Sequence, residues 1–326
     1  MIDIIIPTYK NKEGLRKTLL SFGPSLPKEI KITVIDDFSE TTYDDICQEF
    51  PFITILYNEK NVGPGMTRQN GIRNTHEPYI AFIDTGDTLI YYKLLSPIIQ
   101  IIKDNPEVVV FSWQYEQNGK VSKDTHNRLH GRVYKREFLD TYGIEFCPES
   151  SYTNEDIGFN RLCRLIIADK NLKSASSTGA IISYERDPNS ITNKNNGEFF
   201  FKQQNKGLAL NSIHTIKIAE KDNVSREKII DEVNVIMASL YYTFLCTAYE
   251  RPEFLQEAFD GARLYFKECF SQFKDNTPNA IMSAYSIFVK RIYARAKNWK
   301  NFKPLNYTNF LKDLNKYETV PSWYIF

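Results

Sequence analysis

With 326 residues the chain is long enough to bury a large core, as one big domain or one domain with an appendage, and 42% hydrophobic with 25% charged residues is the mix of an ordinary globular protein. A mean hydropathy of −0.41, with no apolar run near the roughly eighteen residues of a membrane span, argues against a transmembrane segment. Five scattered cysteines (47, 147, 163, 246 and 269), never in a CxxC pair, and four dispersed histidines argue against a thiolate zinc site and a disulfide framework, and fit a reducing cytoplasm.

The N-terminal MIDIIIPTYK has no basic region before its apolar run and no small-residue cleavage site, so it reads as a first strand and not a signal peptide. IDIII (2–6), ended by Pro7, suits a strand buried on both faces. KEGLRKTLLSF (12–22) has helical spacing and stops at Gly23-Pro24. KITVIDD (31–37) predicts a second strand, TYDDICQEF (42–50) a short helix, and FITILYNE (52–59) a third strand. GMTRQNGIRNT (65–75) predicts a helix and YIAFID (79–84) a fourth strand. Strand and helix alternating at this spacing argue for right-handed crossovers and a parallel sheet, in which ligands bind beyond the carboxyl ends of the strands.

That rule gives meaning to three strand ends. They carry Thr8-Tyr9, Asp36-Asp37 and Asp84-Thr85-Gly86-Asp87, and the loop NVGPG (61–65) leads into the helix bearing Arg68. Turn chemistry accounts for each loop alone. It does not account for acids recurring at corresponding ends, and a site on one rim is the better reading.

Farther along, EVVVFSW (107–113) predicts a strand, and VYKREFLDTYG (133–143) a strand edge followed by a helix ended by Gly143. His126 and His130, four apart in a polar stretch, read as solvated surface. Ser151 to Asp156 opens the helix IGFNRLCRLIIADKN, with Thr153 or Asn154 as its cap. Glu155 and Asp156 in its first turn suit the helix dipole whatever else they do. AIISYERDPNSIT (180–192) is a strand and a polar loop, TNKNNGE (192–198) is the expected linker, and from about Phe199 the spacing is helical to the end. The expected domains are therefore 1–198 and 199–326.

Paired carboxylates on a strand-end turn, beside an arginine and a glycine loop, match a site for a divalent cation and a diphosphate. Magnesium and manganese take oxygen ligands and neutralise charge on a departing diphosphate. Arg68 adds charge-assisted hydrogen bonds, Gly86 lets backbone approach a ligand, and a later carboxylate, Asp156, is the candidate base for an incoming hydroxyl.

MIDIIIPTYK, ITVIDDFSE, NVGPGMTRQNGI, YIAFIDTGD and TNEDIGF fall in the order and spacing of family 2 glycosyltransferases of the GT-A fold, and VYKREFLDTYGIEF and YERDPNSIT resemble the connecting segments of bacterial and phage members. The resemblance covers about residues 1–195. It implies a Rossmann-like, mostly parallel α/β sheet flanked by helices, a UDP-sugar or similar donor, an inverting single displacement, and Mn2+ or Mg2+ as cofactor. Carried over, Pro7 and Tyr9 line the nucleotide pocket, with Tyr9 stacking on the base. Asp37 accepts from the base, Arg68 lies near base and diphosphate, and Asp84 lies near the ribose with Thr85 beside it. Asp87 holds the metal and Asp156 is the general base, while Glu155 and Arg186 fall on the acceptor side. Many members carry a second acid where Gly86 stands, so metal dependence is expected to rest mainly on Asp87. Two other classes share parts of the pattern. A nucleotidyltransferase wants a glycine-rich, basic loop after the first strand, where this chain has PTYKNKEG. A non-catalytic sugar-binding protein has no need of Asp37, Asp87 and Asp156 together.

Residues 1–200 hold 23 Lys+Arg against 27 Asp+Glu, and residues 201–326 hold 18 against 13. Lys290 to Lys316 has eight basic residues and one acid, Asp313. The helical region reads as a cap on the catalytic domain or on a second copy of the chain, as in a homo-oligomer, with basic side chains solvating its surface. The interleaving of basic and aromatic residues in KRIYARAKNWKNFKPLNY (290–307) also suits an anionic membrane surface or a polyanionic acceptor. The acceptor is then a glycan, a teichoic-acid-like polymer or hydroxymethylated phage DNA, and the setting is the cytoplasm, the membrane periphery or an infected host cell.

Overall fold

The structure is a computed structural model of the whole chain, and it describes all residues except 24–25, 90–94, 118–119, 125–128, 130, 186–197, 301, 304–305 and 325–326. His126, His130, most of the expected linker and Arg186 lie outside the described residues. Two compact units emerge, Met1–Tyr152 with Phe159–Asn195, and Thr153–Gly158 with Asn196–Phe326.

In the first unit the strands β1 (Ile2–Thr8), β2 (Ile30–Asp36), β3 (Ile53–Tyr57) and β4 (Tyr79–Phe82) alternate with the helices α1 (Lys12–Leu20), α2 (Asp44–Glu49) and α3 (Gly63–Arg73). β1 pairs in parallel with β2 on one side and β4 on the other, and β2 pairs in parallel with β3. Every residue of β1 is buried, as its continuous apolar run requires of a strand covered on both faces. Ile4 and Ile6 join Leu15 and Leu19 of α1 and Ile46 of α2 in one apolar cluster. Each such side chain stabilises by about 1.5–3 kcal/mol on burial.

The remaining strands turn the sheet mixed. These are β5 (Thr88–Leu89), β6 (Val108–Gln117), β7 (Lys120–Asp124), β8 (Arg132–Lys135) and β9 (Ser174–Glu185), with α4 (Leu95–Ile102), α5 (Arg136–Thr141) and α6 (Glu155–Lys170) between them. The strand order is β3-β2-β1-β4-β8-β6-β9-β5, with β7 pairing β6. β8 runs antiparallel to β4 and β6, while β6 and β9 pair in parallel. This is the expected mostly parallel α/β architecture, with the parallel pairs among the first four strands and between β6 and β9. Phe82 at the end of β4 meets Tyr134, Phe146 and Phe159, and Phe146 and Phe159 stack at 4.3 Å, which fixes the later turns of α6 in the first unit.

The second unit is helical: α7 (Glu198–Lys221), α8 (Arg226–Glu250), α9 (Leu255–Glu268), α10 (Pro278–Ala296) and α11 (Tyr307–Lys316). α8 is long and apolar enough to cross a membrane by length and composition, yet 56% of its apolar window is buried inside the protein. Tyr241 and Phe244 of α8 pack on Phe310, and Phe244 also meets Phe259 and Tyr324. α8 is the core helix of this bundle. All five cysteines are free, and burial raises the thiols of Cys147 and Cys269 to about 12.

Candidate active site

Because β1, β2 and β4 are parallel, their carboxyl ends share one rim. Thr8 stands opposite Asp36, and Ile5 opposite Phe82, so the turn after β4 lies beside Pro7. Thr85 Oγ1 donates to the Pro7 carbonyl at 2.7 Å, fastening the two ends together. Within the turn the Asp87 N–H donates to the Asp84 carbonyl at 3.0 Å, and the Gly86 N–H donates to Thr18 Oγ1 of α1 at 2.9 Å. Gly86 has φ +102°, and a Cβ placed there meets no atom of the described residues beyond its chain neighbours within 4 Å. The turn leaves open space above Gly86, with the Asp87 carboxylate buried beside it.

The acid pair after β2 divides its labour. Asp36 is internal: it accepts from the Tyr43 hydroxyl at 2.8 Å and from the Ser39 N–H at 2.8 Å. Burial first, and the nearby Asp36 carboxylate in addition, push the Tyr43 phenol up to about 12. Asp37 grips the glycine loop instead. Its Oδ1 accepts from Val62 N–H at 2.8 Å and Asn58 Nδ2 at 2.9 Å, and its Oδ2 accepts from Gly63 N–H at 2.9 Å. The next donors are also taken, since Gly65 N–H reaches the Ser151 carbonyl at 3.0 Å and Met66 N–H reaches Ser151 Oγ at 2.7 Å. The N-terminus of α3 is therefore not an open anion cradle. Its glycine serves packing: Gly63 has φ +81°, and a Cβ would come within 2.9 Å of Tyr152 Cε1.

Replacing Asp37 with Ala leaves three donors around the loop without their acceptor. We expect a stability loss of about 3 kcal/mol, read as a lower urea midpoint. An unchanged midpoint would remove Asp37 as the anchor of the loop.

Arg68 is buried, and its Nη2 donates to Asp84 Oδ1 at 2.5 Å, joining α3 to the end of β4. Asp84 is half-buried, and Tyr9 stands exposed, with Lys10 Nζ 5.2 Å from its ring centroid. Pro7, Tyr9, Asp37, Arg68, Asp84, Thr85 and Asp87 are thus gathered at one rim of the first unit. Glu155 and Asp156 belong to the second unit, in the first turn of α6. Glu155 is buried and Asp156 half-buried, and Asp156 Oδ1 accepts from the Ile157 N–H at 2.8 Å. Asn154, immediately before the helix, has φ +59°, and its Nδ2 donates to the Gln204 carbonyl at 2.8 Å.

Four residues of the rim were not singled out from sequence: Tyr43, Asn58, Ser151 and Tyr152. The Tyr152 hydroxyl donates to Asn61 Oδ1 at 2.5 Å, and burial, then the charge of Asp37, raises the phenol above its ordinary range. These contacts join segments as much as 91 residues apart, so no local pattern announces them.

The sequence model of the family described as "Glycosyl transferase family 2" matches residues 3–172, more than half of the chain and the whole stretch that builds this rim. The chain belongs to glycosyltransferase family 2. That membership speaks for glycosyl transfer over the nucleotidyltransferase reading. Among curated relatives, "Glycosyltransferase GlyA" of Streptococcus pneumoniae is 36% identical over 89 residues, covering 26% of this chain and 13% of that protein. An uncharacterized glycosyltransferase of Haemophilus influenzae is 28% identical over 109 residues, covering 33% and 36%. The matches span well under half of these relatives' lengths. Among solved structures, S. aureus TarS 1-349 superposes with a TM-score of 0.63 at 13% identity, covering 94% of each chain. TarS 1-349 in complex with UDP-GlcNAc gives 0.53 at 14% identity, covering 89% of this chain and 92% of that one. The likeness shows that this family 2 chain has the GT-A fold with a helical C-terminal region.

Proposed function

We propose that the protein moves a sugar from a UDP-sugar to a hydroxyl of a glycan or polymer acceptor, with inversion at the anomeric carbon. The observation that carries this reading is the shared rim: Arg68 reaches Asp84, the turn from Asp84 to Asp87 is fastened to Pro7, Asp37 holds the glycine loop, and Tyr9 stands exposed. Tyr9 stacks on the nucleobase, as an exposed aromatic beside a pocket does at low entropic cost. Asp37 shapes the pocket wall by holding the loop, and it offers the base an acceptor. The Arg68–Asp84 pair orients Asp84 toward the ribose and keeps positive charge near the diphosphate. TarS, whose fold this chain shares, has been crystallised with UDP and with UDP-GlcNAc, which favours uridine for the donor.

The rim also fits a divalent ion. Asp87 is a buried carboxylate next to free space at Gly86, and magnesium or manganese takes few protein carboxylates when substrate phosphates complete the shell. Bound there, the ion neutralises charge on the leaving diphosphate. Asp156 takes the proton of the acceptor hydroxyl as that oxygen bonds to the anomeric carbon. The bond from that carbon to the diphosphate oxygen breaks, and UDP departs with the electron pair. The second unit carries the acceptor, and the five free cysteines suit a cytoplasmic setting.

Purified protein is to be incubated with a panel of nucleotide sugars and manganese, with release of the nucleoside diphosphate as the readout. Hydrolysis of a UDP-sugar above the other nucleotides is the expected result. Equal indifference to every donor, with no UDP binding by calorimetry, would defeat the reading.

A further inference from the structure

The outer face of α10 combines two features that solvent does not reward together. Residues 276–312 contain no Asp or Glu at all, while seven Lys and Arg fall in the same stretch. An ordinary solvated helix mixes both signs. On α10, Ala284, Phe288, Ile292 and Ala296 form the buried stripe. The opposite half presents Met282 at 45% exposure, Ile287 at 55% and Tyr293 at 52%, interleaved with exposed Lys290 and with exposed Arg291, whose guanidinium lies 5.7 Å from the Phe288 ring centroid, and exposed Lys297 follows as the C-cap. At about 100° per residue these six side chains share one half of the helix circumference. Arg295, by contrast, is turned to Glu250 at 2.6 Å and belongs to the bundle.

We propose that this face docks the protein on an anionic bilayer surface. A membrane rewards both halves of the pattern, because Met282, Ile287 and Tyr293 enter the boundary between headgroups and acyl chains while Lys290, Arg291 and Lys297 meet lipid phosphates. A soluble polyanion rewards only the cations and leaves an exposed methionine and isoleucine unexplained. The inference stands on the second unit alone and does not depend on the donor or the base assigned above.

The test is co-sedimentation of the full chain with phosphatidylcholine vesicles, with and without phosphatidylglycerol, at low and high salt. Binding is expected only with phosphatidylglycerol, and high salt weakens it. Lys290→Ala, Arg291→Ala and Lys297→Ala combined should weaken it by about a hundredfold, at about fivefold per cation. Met282→Ser with Ile287→Ser should weaken it by about tenfold, with the circular-dichroism spectrum and melting temperature at the wild-type values as the check on folding. Hydrogen exchange on the unaltered protein needs no variant: vesicles should protect residues 278–296. Equal binding to both vesicles, binding to neither, or no protection of α10 would overturn the proposal. So would a Met282→Ser, Ile287→Ser protein that keeps full vesicle affinity, and if it also binds linear polyphosphate as the wild type does, the face belongs to a soluble polymer.

Discussion

Asp156→Asn is expected to lower sugar transfer by about 10²–10⁴-fold while UDP affinity stays at the wild-type value. The substitution keeps the size of the side chain and removes its ability to accept a proton. Asp156 is half-buried in the first turn of α6, where an acid also complements the helix dipole. That role alone is worth about 0.3–1 kcal/mol, visible as a small fall in melting temperature with turnover intact. The two roles therefore predict opposite kinetics. Glu155→Gln is the neighbouring control: Glu155 is buried, points from a different face of the same turn, and should retain transfer. Loss of transfer in Glu155→Gln with retention in Asp156→Asn would assign the base to the wrong acid.

The second large effect is expected at Asp87. Asp87→Asn should abolish the gain in UDP affinity that manganese gives the wild type, and should cut turnover by about 10²–10³-fold, the scale of losing one electrostatic contact to a charged transition state. The side chain is buried and its backbone N–H closes the turn onto Asp84, so the isosteric amide preserves the turn. Wild-type turnover, or an undiminished response to manganese, would show that the ion is held elsewhere or not used.

Much of this was legible in the sequence wherever the signal is local. β1 to β4 and their helices appear as alternating periods because each strand is a continuous apolar run and each helix carries a stripe. The rim followed from one rule about parallel sheets, applied to Thr8, Asp36-Asp37 and the turn at Asp84. Among the short elements, α2, β8 and α5 were legible, but β5, β7 and α4 were not. β5 is two residues long, and β7 is the polar KVSKD, held only by pairing with β6. α4 carries Pro97 in its first turn, where the missing N–H costs nothing, and the sequence reading named no element there. β9 begins at Ser174, six residues before its apolar run, because the partner β6 and not its own composition makes SASST a strand. In the site, sequence paired Asp36 with Asp37 but could not say which faces inward. That choice is made by Tyr43 and by the loop at Gly63.

The turn at Gly86 bears on how this enzyme changes over generations. Among the described residues nothing beyond its chain neighbours lies within 4 Å of its Cβ position, so the first obstacle to an aspartate there is backbone strain at φ +102°, of order 1–3 kcal/mol. A glycine codon becomes an aspartate codon by one base change. On the metal-assisted reading proposed above, dependence on the ion is then a trait that one substitution at this turn can strengthen or weaken.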